Sequence, residues 1–352
     1  MTAAAAQVEA PAELLTWLAA VTGHDDSALS VTLVAGDASP RRYFRVQIET
    51  ASETQPSLIA VISPPTEKNQ AFLAIRDLLA ASAVRVPSLV TADLQAGFFL
   101  LEDFGDALLL DALRQGQISR WYPQALQILR RQRSIDPSET GLPPYDEALL
   151  VQEMDLFPRW FLGDLLGFTD TEINAAHLRE VWRCLVENAV AQPQVVVHRD
   201  FHSRNLMCLE SGELGVIDFQ DGVIGPMTYD LVSLLKDCYI VWPRDTQLAW
   251  LQQAYDDLPD DIINCDFSFA QCVQWFDLMG LQRHIKVLGI FSRLCFRDGK
   301  PQYLEDLPTV LAYVAEALDL YREREPRLAV FAAWFEAELM PRAALQPWFR
   351  DE

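Results

Sequence analysis

His198-Arg199-Asp200-Phe201-His202-Ser203-Arg204-Asn205, followed downstream by Asp218-Phe219, is the stretch on which the reading of this chain turns. The pattern H-R-D-x-x-x-x-N, then D-F, sets out a carboxylate, an amide and a second carboxylate in a fixed order. Asp200 is placed to accept a proton from an acceptor hydroxyl, and Asn205 and Asp218 are placed to hold magnesium. Those groups predict phosphoryl transfer from a bound nucleotide, with His198 at the head of the loop.

The flanking residues supply the local geometry. Val195-Val196-Val197 is a β-branched run leading into the motif. Leu206–Leu209 and Leu214–Ile217 read as two strands joined by Glu210-Ser211-Gly212-Glu213, a hairpin. Asp200 and Asn205 then lie on the loop before the hairpin and Asp218 just past its end, so the three are expected to converge on one ion. Magnesium demands hard oxygen ligands and keeps several waters, which suits one carboxylate, one amide oxygen and the phosphates. Taken singly, each residue reads better as a turn or strand-end group; the order and spacing together favour the chemical reading.

With 352 residues, 50% hydrophobic and 22% charged, the chain can bury a substantial core, and two lobes are expected. No apolar run approaches the roughly 18 residues of a membrane span. The opening Met1-Thr2-Ala3, with Glu9 and Glu13, lacks the basic-then-apolar order of a secretory signal, so a cytoplasmic location away from membranes is expected. Six cysteines form no C-x-x-C pair and read as reduced core residues. Fifty acidic against 28 basic residues give a net charge of -22, which disfavours nucleic acid and anionic lipid as partners. The same charge suits a cationic substrate or is simply a solvated surface.

Along the chain, residues 10–22 form an amphipathic pattern ending near Gly23. Ser30–Ala35, Arg42–Glu49 and Ser57–Ile62 read as strands, Ala71–Ala81 as a helix with Phe72, Ile75, Leu78 and Leu79 on one face, and Gly97–Leu101 as a buried strand. The organisation expected is α+β and two-lobed: a small β-rich N-lobe over residues 1–103, with a nucleotide-covering turn at Gly36–Pro40, and a large helical C-lobe over 104–352. Phe98–Gly105 is the hinge, where an adenine ring would meet backbone beside Glu102 and Phe104. Beyond Ala107, Leu178–Ala191, Tyr229–Tyr239, Thr246–Tyr255, Phe269–Phe296 and Thr309–Glu323 have helical periodicity.

Val197–Leu206 and Gly215–Asp221 strongly resemble the aminoglycoside and choline kinase family, whose fold is protein-kinase-like. Gly36–Arg45, Gly225–Asp237 and Leu281–Phe291 narrow the resemblance to bacterial anomeric kinases of N-acetylmuramate and N-acetylglucosamine in cell-wall recycling. The resemblance implies ATP and Mg2+ as cofactors, Asp200 as base, Asn205 and Asp218 as metal ligands, and His198 as a loop support. It implies in-line transfer to the C1 hydroxyl of an amino sugar, without a covalent enzyme intermediate. A monomer is expected.

Two departures stand out. Kinases carry a lysine on the third strand to grip the α and β phosphates, and Leu58-Ile59-Ala60-Val61-Ile62-Ser63 has none. Arg41, Arg42 and Arg45 flank the covering turn and Lys68 begins the following helix; Arg45, on the strand, is the first substitute. Gln220 stands where protein kinases have glycine after Asp-Phe, which predicts a fixed metal-holding loop with no activation switch. For the acceptor, Arg283, Asp237 and Arg159 are candidates, because sugar hydroxyls need carboxylates and a lactyl carboxylate needs an arginine. Two other readings stay open: a kinase of a cationic small molecule such as choline or an aminoglycoside, and a nucleotide-binding regulator with a dead centre.

Overall fold

The computed structural model describes residues 9–34, 40–49, 56–64, 66–259, 262 and 266–349. It divides into two compact units, residues 1–107 with 207–220, and residues 108–206 with 221–352. The division differs from a single cut after residue 103, because the hairpin beyond the catalytic loop belongs to the first unit. The Cys208 N–H donates to the Ala107 carbonyl at 2.7 Å and the Val216 N–H to the Arg85 carbonyl at 2.8 Å. Gly215 lets the ring of Phe104 lie directly on the hairpin, where a Cβ would stand 2.4 Å from the ring.

The first unit is built on an antiparallel sheet of β1 (Leu29–Val34), β2 (Arg42–Ile48), β3 (Leu58–Ile62), β4 (Leu89–Asp93) and β5 (Phe98–Glu102), in the order β1-β2-β3-β5-β4. Alternation along β2 sends Phe44 and Val46 to one face. There they join Ala60, Phe98, Leu100 and, from the helix Ala12–Thr22, Leu14 and Leu18 in one core. That helix ends at Gly23, whose φ of 71° only glycine adopts without strain. The helix Asn69–Ala81 buries Phe72, Ile75 and Leu79, with the Phe72 ring 5.5 Å from that of Phe99. Sequence periodicity missed β4, a half-buried edge strand whose register shifts between Leu89 and Thr91.

The second unit is mainly helical. Its short strand Gln194–Val197 pairs antiparallel with Val223–Pro226, an element the sequence reading did not foresee, and the catalytic loop leaves from the end of that pair. The helix Phe269–Asp298 is the central post. Every residue from Trp275 to Gly289 is buried, so this helix is covered all round and its apolar periodicity is diluted by charged residues that meet partners inside. Gly289 admits the backbone of Leu156 and Phe157, which a Cβ would approach to 2.5 Å. The helix beginning at Tyr229 stops at Leu235, short of the expected Tyr239, because Lys236 leaves helical dihedrals and Asp237 turns its carboxylate to neighbouring backbone.

Candidate active site

Two buried carboxylates hold the loop between Val197 and Leu206 by its backbone. Asp230, in the helix Tyr229–Leu235, accepts from the N–H groups of His198 at 2.7 Å and Arg199 at 3.0 Å, and from Gln132 Nε2 at 2.6 Å. Burial raises its pKa even so. Asp237, 1% exposed, accepts from the N–H groups of Ser203 at 2.9 Å and Tyr239 at 3.0 Å. One carboxylate therefore clamps the start of the loop and the other its far side. Asp237, expected on substrate, thus braces the loop, with one main-chain N–H on each of its oxygens. The His198 ring is buried and its Nδ1 accepts from the Asp200 N–H at 3.2 Å, so it supports the Asp200 backbone from behind.

Inside the clamp the loop folds on itself. The His202 N–H donates to the Asp200 carbonyl at 3.0 Å, and Asn205 Nδ2 donates to the same oxygen at 3.0 Å. That contact fixes the amide orientation and turns Asn205 Oδ1 away from Asp200. The Asp200 carboxylate is 42% exposed, with Arg283 Nη1 at 3.8 Å. Its enclosed setting works against ionisation, but the charges of Lys286 and Arg283, then His202 and Arg199, outweigh this and draw the pKa down to about 2. The structure thus joins Asp200 to His198, Asn205, Asp237 and Arg283 in one neighbourhood. Arg159 is exposed, with its guanidinium 4.7 Å from the ring centroid of its neighbour Trp160.

In the first unit, Asp218 sits at φ 63°, and its Oδ1 accepts from Gln220 Nε2 at 2.7 Å. Phe219 stacks on Phe72 at 5.2 Å. Gln220 therefore ties down the turn that a glycine would leave loose. Among the described residues no cluster of three His, Cys, Asp or Glu side chains is formed. Magnesium takes hard oxygen ligands and fills its remaining positions with water and phosphate oxygens; the Asn205 amide oxygen in the second unit and the Asp218 carboxylate in the first are each of that donor type.

The proposed phosphate cations differ in their commitments. Arg45 is bound by Asp103, with Nε at 2.6 Å, and by Asp106, with Nη2 at 2.8 Å. Those hydrogen bonds, Asp106 first, raise its pKa. Arg41 is 4% exposed and lies beside the end of β3, where its Nε donates to Ser63 Oγ at 3.0 Å and its Nη2 is 3.5 Å from Glu67. Ser63 Oγ in turn donates to Asn69 Oδ1 at 2.5 Å. Glu102 is paired with Arg85, which lowers its pKa, and Arg85 lies 4.8 Å over the ring of Phe104. Gly36–Ser39 of the expected covering turn lie outside the described residues.

Comparison with known proteins follows this geometry. The model of a phosphotransferase enzyme family matches residues 30–262. The chain belongs to that family. N-acetylmuramate/N-acetylglucosamine kinase from Pseudomonas putida is 40% identical over 301 residues, covering 85% of this chain and 86% of the relative. The protein of that name from Neisseria meningitidis is 35% identical over 328 residues, covering 90% and 94%. Among solved structures, a Plasmodium vivax ethanolamine kinase superposes with a TM-score of 0.60 at 13% identity, covering 85% of each chain. A gentamicin complex of an aminoglycoside phosphotransferase superposes at 0.60 and 16%, covering 86% and 97%. These structural likenesses establish the kinase-like fold of this phosphotransferase. Its sequence motif exposed Asp200, Asn205 and Asp218, but it gave no signal for Glu153 and Lys286, whose charges reach the loop from distant helices. Asp230 lay in the quoted Gly225–Asp237 stretch, visible as a carboxylate without a role.

Proposed function

We propose that this phosphotransferase is an ATP-dependent kinase that phosphorylates the anomeric C1 hydroxyl of N-acetylmuramate, N-acetylglucosamine or both, in the recycling of peptidoglycan. The observation that carries the substrate is the 40% identity, over most of both chains, to kinases of that name. Asp200 accepts the proton of the sugar hydroxyl, and its low pKa keeps it ionised for that task at neutral pH. The His198 ring accepts from the Asp200 N–H, Asp230 holds the N–H groups of His198 and Arg199 just before it, and Asp237 holds that of Ser203. Asn205 and Asp218 would bind magnesium, which when present neutralises phosphate charge and orients the transferred group.

On the nucleotide side, Arg41 stands in for the missing strand lysine. Its support by Glu67 resembles the lysine–glutamate pair of kinases, whereas Arg45 is already committed to two carboxylates. Glu102 and Phe104 mark the segment whose backbone meets adenine. On the acceptor side, Arg283, with Lys286 and Arg199 behind it, sets a positive field at Asp200. That field favours a neutral or carboxylate-bearing acceptor over choline or an aminoglycoside. A monomer in the cytoplasm fits an ATP-consuming step, and no helix among the described residues is long and apolar enough to cross a membrane.

The test pairs ATP with N-acetylmuramate, N-acetylglucosamine, choline and kanamycin, and identifies the product by phosphorus NMR. A glycosyl phosphate from either sugar is expected. A C6 phosphate, or turnover of choline or kanamycin alone, overturns the reading. Asp200→Asn should lower kcat about 10²–10⁴-fold with ATP affinity little changed.

A further inference from the structure

Arg199, the residue immediately before the base, has φ 75°, a backbone conformation that side-chain-bearing residues rarely adopt. It is held there from several directions. Its N–H donates to Asp230 Oδ1 at 3.0 Å, and its carbonyl accepts from Arg283 Nη1 at 3.3 Å. Its guanidinium forms an ion pair with Glu153 of the helix Glu147–Met154, and Nη1 donates to the Asp221 carbonyl at 3.3 Å.

Glu153 is 8% exposed, and its charge is met by more than Arg199. Lys286 Nζ lies 3.0 Å from Glu153 Oε1 and donates to the Tyr229 hydroxyl at 3.0 Å, and the Tyr145 hydroxyl donates to Glu153. Lys286 and Arg283 stand three positions apart on the long helix, a spacing that puts both on one face. A buried ion pair is a poor way to gain stability, since an apolar pair of the same shape serves as well. What it does provide is a directional anchor.

We propose that Glu153 and Lys286 are positioning residues for phosphoryl transfer: they fix Arg199 in its left-handed conformation and so aim Asp200 at the acceptor hydroxyl. They act through the loop and touch neither substrate. The inference rests on Asp200 being the base, as set out above.

The experiment measures kcat, KM for ATP and for N-acetylglucosamine, and melting temperature in Glu153→Gln/Lys286→Met, Arg199→Gly, their combination, Lys286→Arg, and Asp200→Asn. The double variant removes both charges together, and glycine relaxes the left-handed position while cutting the anchor. Expected are a 10–100-fold loss of kcat in the double variant and in Arg199→Gly, KM for ATP within about twofold, and partial recovery with Lys286→Arg. At pH 8, where the Asp200 carboxylate is ionised with or without the Lys286 charge, the positioning acts through Arg199, so adding the double change to Arg199→Gly should cause no further loss of kcat. Losses that multiply, or a double variant with full kcat, overturn the inference. Should the double variant fail to fold, full kcat in Arg199→Gly overturns it equally. If Asp200→Asn itself stays active, the assignment of the base fails, whereas an inactive Asp200→Asn beside a fully active double variant sinks the positioning role alone.

Discussion

Gly215 has no side chain because Phe104 occupies the place where one would go. Gly215→Ala would put its Cβ 2.4 Å from that ring, which must then swing off the hairpin and out from under Arg85. A loss of about 1–3 kcal/mol is expected, read by urea unfolding, and Phe104→Leu in the same chain should return part of it; no loss would mean the ring has room to move. Asp306 makes a pH-dependent case. Burial pushes its carboxyl up to about 6 against the pull of Arg204. A folded pKa above the unfolded value of about 3.9 means stability is kept below about pH 4 and lost as pH rises through 6. Asp306→Asn should therefore raise the melting temperature by about 2–4 °C at pH 8 and leave it unchanged at pH 4. An equal gain at both pH values would contradict a titration origin. Arg45 carries the same lesson about legibility: its position on β2 was readable, but the two aspartates that claim it come from 58 and 61 positions away.

The helix Phe269–Asp298 serves two buried charge networks at once. Near its start, Asp277, fully buried, accepts from Arg244 at 2.7 Å, Lys236 at 3.2 Å and the Tyr321 hydroxyl at 3.0 Å. A turn and a half further on, Arg283 and Lys286 serve the catalytic loop. The helix was legible from apolar spacing over Phe269–Phe296, and the structure caps it with Ser268, which accepts from the Gln271 N–H, and Gly299 at φ 67°. Its burial on all sides was not, since Asp277, Gln282, Arg283, His284 and Lys286 interrupt the apolar pattern and nothing local names the partners they meet inside. Its two interior glycines give a paired prediction. Gly289→Ala meets the backbone of Leu156 and Phe157 at 2.5–2.6 Å, which cannot turn aside, and should cost about 3 kcal/mol or more. At Gly280 the nearest atom is Lys236 Cδ at 3.5 Å, an ordinary contact, so Gly280→Ala should be neutral or gain up to about 1 kcal/mol from helix propensity. Thermal melts of the two variants check the contrast, and equal effects would refute the close approach.

Each unit carries its own core, and charge is managed differently inside and out. The chain bears a net -22, and four of its buried or half-buried carboxylates are met by cations: Asp103, Glu153 and Asp277 resist burial through Arg45, Lys286 with Arg199, and Arg244 with Lys236, and Glu102 is held low by Arg85. All four have folded pKa values below their ordinary ones, so their contribution is complete above about pH 4.3 and is lost as pH falls further. The urea midpoint should drop steeply between pH 5 and pH 3; a flat midpoint over that window would show these pairs to be inconsequential. The sequence alone determined the H-R-D-x-x-x-x-N loop, its order of carboxylate, amide and second carboxylate, and the main strands and helices, because loop motif and side-chain period are local properties of the chain. Only the tertiary structure decided that the hairpin joins the first unit, that Asp237 braces the loop, that Arg45 is already neutralised, and that Glu153 and Lys286 lie behind Arg199. Those outcomes depend on which charges meet across long sequence separations, where burial forces each one to find a partner and nothing local says which.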